Sequence, residues 1–151
     1  MKLSFRPSLG HGTEDRRFIV ATWASSYKKS HSAGIIHTDD WATIMHSQIE
    51  KHLNRPTTTA ILACAHDDPA YFYGWIAGDT SESTPVVYYV YVKEPYRRSG
   101  IARGLFSALG VDPKRYFVYV CGAPIAIKLV PHARFNPNEI RYPRELRRRP
   151  L

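Results

Sequence analysis

Val86–Val92 reads VVYYVYV, seven consecutive residues that are β-branched or aromatic without one polar interruption. A half-buried strand alternates apolar and polar residues, so a run with no alternation has to be covered on both faces. The chain is thereby committed to a layered α/β structure with this strand inside it. The segment that follows, Lys93-Glu94-Pro95-Tyr96-Arg97-Arg98-Ser99-Gly100-Ile101-Ala102-Arg103, turns the strand into a helix predicted from about Ser99 to Leu109. Small residues at Gly100 and Ala102 let the backbone approach a ligand closely. The first amides of the helix point outward with the positive end of the helix dipole behind them. That combination suits a pyrophosphate, and Arg97, Arg98 and Arg103 would add charge around it.

The elements on either side fit one mixed sheet. KLSF at residues 2–5 reads as a short strand, and Thr13 caps a helix whose apolar stripe, Phe18, Ile19, Trp23 and Tyr27, runs to about Lys28. Thr38 opens a second helix that should stop near Arg55, ahead of Pro56. Thr58–Ala65 and Tyr71–Gly78 read as a hairpin around Asp67-Asp68-Pro69. Beyond the third helix, Tyr116–Cys121 reads as a strand, residues 123–130 as two turns of helix, and Phe135–Tyr142 as a last strand. The predicted order is β-α-α-β-β-β-α-β-α-β.

At 151 residues the chain is one domain in length, expected to span residues 1–140 with a basic tail at 141–151. No apolar run is long enough to span a bilayer, and the N-terminus is too polar for a signal peptide, so the expectation is a cytoplasmic protein with no membrane partner. Two cysteines, Cys64 and Cys121, form no disulfide framework and read as buried thiols. The seven histidines show no HxH or HExxH spacing, and no metal site is expected. The net charge is +8, and the tail RYPRELRRRPL holds +4 of it, with five arginines against one glutamate. Such a tail would attract polyanions, nucleic acid included.

The run Arg97-Arg98-Ser99-Gly100-Ile101-Ala102, preceded by VYVKEPY and followed by RGLFSAL, resembles the [Q/R]-x-x-G-x-[G/A] signature of the GNAT superfamily of N-acetyltransferases. The predicted order of elements is similar to that family's over nearly the whole chain. The resemblance implies the GNAT fold, a mixed central sheet with helices on both faces, and acetyl-CoA or another acyl-CoA as cofactor. It implies that the amides of Arg98 to Arg103 hold the pyrophosphate and that main-chain groups of Val90 and Val92 pair with the pantetheine arm. The activity it implies is transfer of an acyl group to an amine, on a small molecule or a protein. The family's strand glutamate base would fall on Val86, however, and its tyrosine acid on Val130. Tyr88, Tyr89, Tyr91 and Tyr119 are then the candidates for proton handling, with Cys121, His37 and Asp39 nearby, because a phenol can lend a proton or orient water. The chain is also similar to small phage-type GNAT proteins and, more distantly, to Mom-type DNA-modification proteins. That likeness would place it in a host cytoplasm and make a nucleic-acid base an alternative acceptor. A GNAT-fold binding module without catalysis is the further alternative.

Overall fold

A computed structural model describes residues 2–27, 38–120 and 133–135. Along the chain it has β1 (Leu3–Pro7), α1 (Glu14–Tyr27), α2 (Thr38–Leu53), β2 (Thr59–Ala65), β3 (Phe72–Asp79), β4 (Val86–Val92), a single 3-10 turn (Glu94–Tyr96), α3 (Ile101–Leu109), β5 (Phe117–Tyr119) and β6 (Ala133–Phe135). The six strands form one sheet in sequence order. β1 through β4 are antiparallel to their neighbours, whereas β4–β5 and β5–β6 are parallel. No described helix is long and apolar enough to cross a membrane.

The VVYYVYV run is an interior strand, buried along its length except for half-buried Tyr91. Alternation across the sheet shows what covers it. Trp75 and Tyr89 pack their rings on Trp23 of α1, at 5.2 and 5.5 Å between centroids. Gly78, on the other face, points at Leu109 of α3. Helices α1 and α2 therefore cover one face and α3 the other. The Trp75 indole donates to Thr22 Oγ1 at 2.8 Å, which satisfies a buried polar group inside that layer.

Two bulges interrupt the alternation. Tyr88 is the extra residue of β4, between the pairs Gly78↔Val87 and Ala77↔Tyr89. Tyr73 is the extra residue of β3, between Ala63↔Gly74 and Cys64↔Phe72. A bulge puts two successive side chains near one face and sharpens the local twist. Tyr88 and Tyr89 accordingly both meet the α1–α2 layer, Tyr88 stacking on His52 at 4.6 Å and Tyr89 on Trp23.

Several boundaries differ from expectation. Helix α3 starts at Ile101, not Ser99, because Gly100 is left-handed (φ 86°) and ends the loop instead of opening the helix. The 3-10 turn at Glu94–Tyr96 was not anticipated. β6 is Ala133–Phe135, so the last strand expected at Phe135–Tyr142 meets it at Phe135, and residues 136–142 lie outside the described residues. Cys64 is a buried thiol, as expected. Cys121, the helix expected at 123–130, and the tail at 141–151 lie outside the described residues.

The first turn of α1 carries a buried ion pair. Asp15 is only 3% exposed and accepts two bonds from the Arg6 guanidinium, at 2.6 and 2.8 Å, and one from the Leu9 amide at 2.8 Å. The hydrogen bonds from Arg6 hold the Asp15 carboxyl below its ordinary range. A depressed carboxylate pKa contributes stability above the unfolded value near pH 4 and loses it as pH falls through the folded value. Asp15→Ala strands the Arg6 charge and should cost about 3 kcal/mol at pH 7 in denaturant titration. That cost should shrink as pH falls below about 4, where the unfolded carboxylate takes up a proton that the folded one, held by Arg6, takes up only at lower pH.

Candidate functional site

β4 and β5 stay paired for only a short distance. The register gives Val86↔Val118 and Val87↔Tyr119, with Val118 N donating to Pro85 O and Val120 N to Val87 O. Past the Tyr88 bulge, no described strand pairs with that side of β4. Lys93 N donates to Tyr73 O at 2.8 Å, so its neighbours in phase face β3, and the main-chain groups of Val92 and Val90 face away from it. The Val92 carbonyl confirms this direction by accepting Arg97 Nε at 2.8 Å. Among the described residues, then, no strand takes the outward-facing main-chain groups of Val90 and Val92, of which the Val92 carbonyl accepts from Arg97.

The loop beyond β4 is held from within. Tyr96 N bonds Lys93 O, Arg97 N bonds Glu94 O, and Ser99 Oγ donates to Tyr96 O. Arg98 is the one non-glycine among the described residues with positive φ, at 65°, two residues before left-handed Gly100. Such conformations are uncommon off glycine and cluster where a backbone shape is needed for binding. The first bond of α3 is Gly104 N to Gly100 O, and no side chain caps the helix. The amides of Ile101, Ala102 and Arg103 therefore have no intrahelical acceptor. A Cβ at Gly100 would meet nothing within 4 Å among the described residues, so Gly100 itself is uncrowded.

Of the residues expected to bind cofactor, Arg97, Arg98, Ser99, Gly100 and Arg103 are exposed around this helix start. Ala102 is half-buried. Ile101, Val90 and Val92 have buried side chains, so only their main chains can serve a ligand. Among the four tyrosines, Tyr88 is fully buried and accepts a bond from Arg55 Nη1 at 3.2 Å, while Tyr89 shares one with Ser26 Oγ at 2.7 Å. Burial raises the Tyr88 pKa against the opposing pull of Arg55. Tyr91 is half-buried, with the Arg97 guanidinium 5.9 Å from its ring centre. Tyr119, half-buried, sits opposite Val87 at the last pair before the strands part. His37 and the side chain of Asp39 lie outside what is described.

His52, in the last turn of α2, was not among the expected site residues. Its ring stacks on Trp23 and Tyr88, and its Nδ1 is buried without a partner. Burial, with Arg55 and Lys51 nearby, pushes its pKa down to about 4. A base with a depressed folded pKa contributes stability that is complete above the unfolded value of about 6.5 and drains away toward pH 4. His52→Phe keeps the stack and removes the orphaned nitrogen. Its stability relative to wild type should therefore improve by roughly 1 to 2 kcal/mol between pH 7.5 and pH 5 in chemical denaturation.

No protein-family model matches this sequence, and no curated protein matches it either. Solved structures do. A Pyrococcus furiosus protein assigned as an acetyl transferase superposes with a TM-score of 0.59 at 16% identity, over 85% of this chain and 89% of its own. The fold is that of the GNAT acetyltransferases. A second GNAT-fold match, the PaiA N-acetyltransferase of Thermoplasma acidophilum in complex with coenzyme A, has a TM-score of 0.51 at 17% identity, over 73% of this chain and 70% of that one. A GNAT-family structure from Desulfovibrio desulfuricans aligns at 17% identity with a TM-score of 0.43, and the chain spans 62% of its length. The GNAT fold was the fold expected from Arg97–Ala102.

Proposed function

We propose that this chain is an acyl-CoA-dependent N-acyltransferase that moves an acetyl or related acyl group to an amine acceptor, a small molecule or a protein, in the cytoplasm. The observation that carries the reading is the uncapped start of α3 behind left-handed Gly100, set just beyond the part of β4 that has no strand partner on its β5 side among the described residues. A pyrophosphate suits that start on charge and on its free amide donors. The amides of Ile101, Ala102 and Arg103 would hold it, Arg98 and Arg103 would neutralise it, and main-chain groups of Val90 and Val92 would take the pantetheine arm. Bound acyl-CoA supplies an acyl group activated for attack by a neutral amine.

The remaining work falls to the residues of this chain. An acceptor amine reacts only after losing its proton, and Val86 offers no carboxylate to take it. Asp79, the buried acid nearest in sequence, is engaged by Thr57 and by Ser81. His52, with its pKa near 4, is neutral at physiological pH and sets no inflection there. Tyr91 and Tyr119, both half-buried, can orient the amine or a water and pass its proton to solvent, whereas the buried Tyr88 and Tyr89 act as packed walls. Release of CoA thiol on incubation with acetyl-CoA tests the reading: thiol should appear only when a small amine, a protein or DNA is added, and the one that works identifies the acceptor class. The rate should climb with pH toward the acceptor's own pKa. Tyr91→Phe and Tyr119→Phe should slow turnover without weakening CoA binding; full activity in both would assign proton transfer to water alone. Acyl-CoA binding with no thiol release for any acceptor would favour the non-catalytic module.

A further inference from the structure

At the end of the sheet where β3 begins and β4 ends, aromatic rings and cations interleave. Tyr71, Tyr73 and Tyr96 meet edge to face, at 5.2 and 4.7 Å between centroids, and the Tyr71 and Tyr96 hydroxyls share a hydrogen bond of 2.9 Å. The Lys93 ammonium lies 4.9 Å from the centre of the Tyr71 ring and 5.4 Å from that of Phe18. Phe18 in turn leans on Tyr91 at 6.3 Å, and Arg97 sits over Tyr91. The rings are not sealed off: Tyr71 is 44% exposed, and Phe18, Tyr91 and Tyr96 are half-buried.

The charge on this surface is one-sided. Lys93, Arg97, Arg98 and Arg103 stand against Glu94 alone in residues 93–103. None of the four cations has a carboxylate within salt-bridge distance among the described residues, although Arg6, Arg16, Arg17 and Arg115 do. A cation laid over tyrosine and phenylalanine faces keeps its full charge available to an incoming anion. The exposed part of the Tyr71 ring, set among positive groups that accept phosphates, suits a base of an unpaired polynucleotide; a duplex hides its base faces.

We infer that this aromatic and cationic surface, centred on Tyr71 and Lys93, binds single-stranded nucleic acid. It is independent of the basic tail and, in the acyltransfer reading, would bring a base amine to the site. Fluorescence anisotropy of a labelled dT12 oligonucleotide with the full chain tests it without requiring turnover. Tyr71→Ala should weaken binding about tenfold, as loss of one stacked base would. Tyr71→Phe, which keeps the ring and breaks the hydroxyl pair, should bind within about twofold of wild type. Lys93→Gln should flatten the slope of log K against log salt by about 0.7, the loss of one phosphate contact on a single strand. Melting curves of the variants should match wild type within a few degrees, as expected for exposed positions.

Four results would overturn the inference: no binding of dT12; binding unchanged by Tyr71→Ala and Lys93→Gln, which would leave the tail as the contact; equal affinity for duplex DNA; or an acidic peptide competing as well as dT12. A fifth would do so too. If Tyr71→Ala weakened CoA binding by the same factor as dT12 binding, the surface would be part of the cofactor site. Success here with no acyl transfer would leave the surface standing and the enzymatic reading refuted.

Discussion

Gly100→Val should bind acyl-CoA at least about tenfold more weakly than wild type by calorimetry, while its far-UV spectrum stays unchanged. Gly100 has φ 86°, a conformation that costs an L-residue roughly 1–2 kcal/mol and a β-branched one more. Nothing lies within 4 Å of the added Cβ, so the variant relieves its strain by turning the loop rather than by unfolding the sheet. The turn moves the Ile101, Ala102 and Arg103 amides away from the anion they would face together, and the strain alone amounts to about a factor of ten. Gly100→Ala should fall between wild type and Gly100→Val. Unchanged affinity in both would remove the α3 start from the cofactor site.

The larger stability effect is expected at Gly74. A Cβ there would lie 2.4 Å from the Tyr91 carbonyl oxygen and 3.1 Å from Val92 Cα, both backbone atoms of the neighbouring strand. Backbone inside a sheet cannot rotate aside as a side chain can, so Gly74→Ala should cost about 3 kcal/mol or more. For a chain of this size that is a fall in Tm of roughly 10 °C. Gly104 provides the contrast. Its added Cβ would also come within 2.4 Å of a neighbour, but that neighbour is the ring of Phe5, itself 38% exposed and able to swing outward. A scanning-calorimetry series in which Gly104→Ala was the more damaging would contradict this account of the β3–β4 contact.

What could be read from the residues, and what could not, divides along a physical line. An uninterrupted β-branched and aromatic run followed by glycine in a basic turn identifies itself, because burial on two faces and a backbone-made anion site depend on local sequence. Arg97–Ala102 was therefore legible as a glycine-containing basic turn at the start of α3, and the predicted order of strands and helices agrees with the described elements, the helix expected at 123–130 lying outside them. The Tyr88 bulge leaves no such mark: VVYYVYV reads the same whether its alternation slips or not, and only pairing with β3 shows Tyr88 and Tyr89 meeting one layer. Nor could the sequence show Lys93 over Phe18 or Arg55 at Tyr88, since those partners come from separate elements. The expected last strand began at Phe135 because nothing in the apolar pattern marked Ala133 and Arg134 as partners of β5.

The contact between Arg97 and the Val92 carbonyl also bears on solubility. Among the described residues no strand pairs with Val90–Val92 on the β5 side; such a strand side is a template on which a second chain can add itself, and β4 is rich in the residues that self-associate most readily. Arg97 engages one acceptor of that template and sets a permanent positive charge beside it. An incoming copy would have to displace the bond and desolvate the guanidinium, and would bring its own Arg97 against the first. The same arginine that borders a ligand's path thereby discourages the chain from treating its own kind as the ligand.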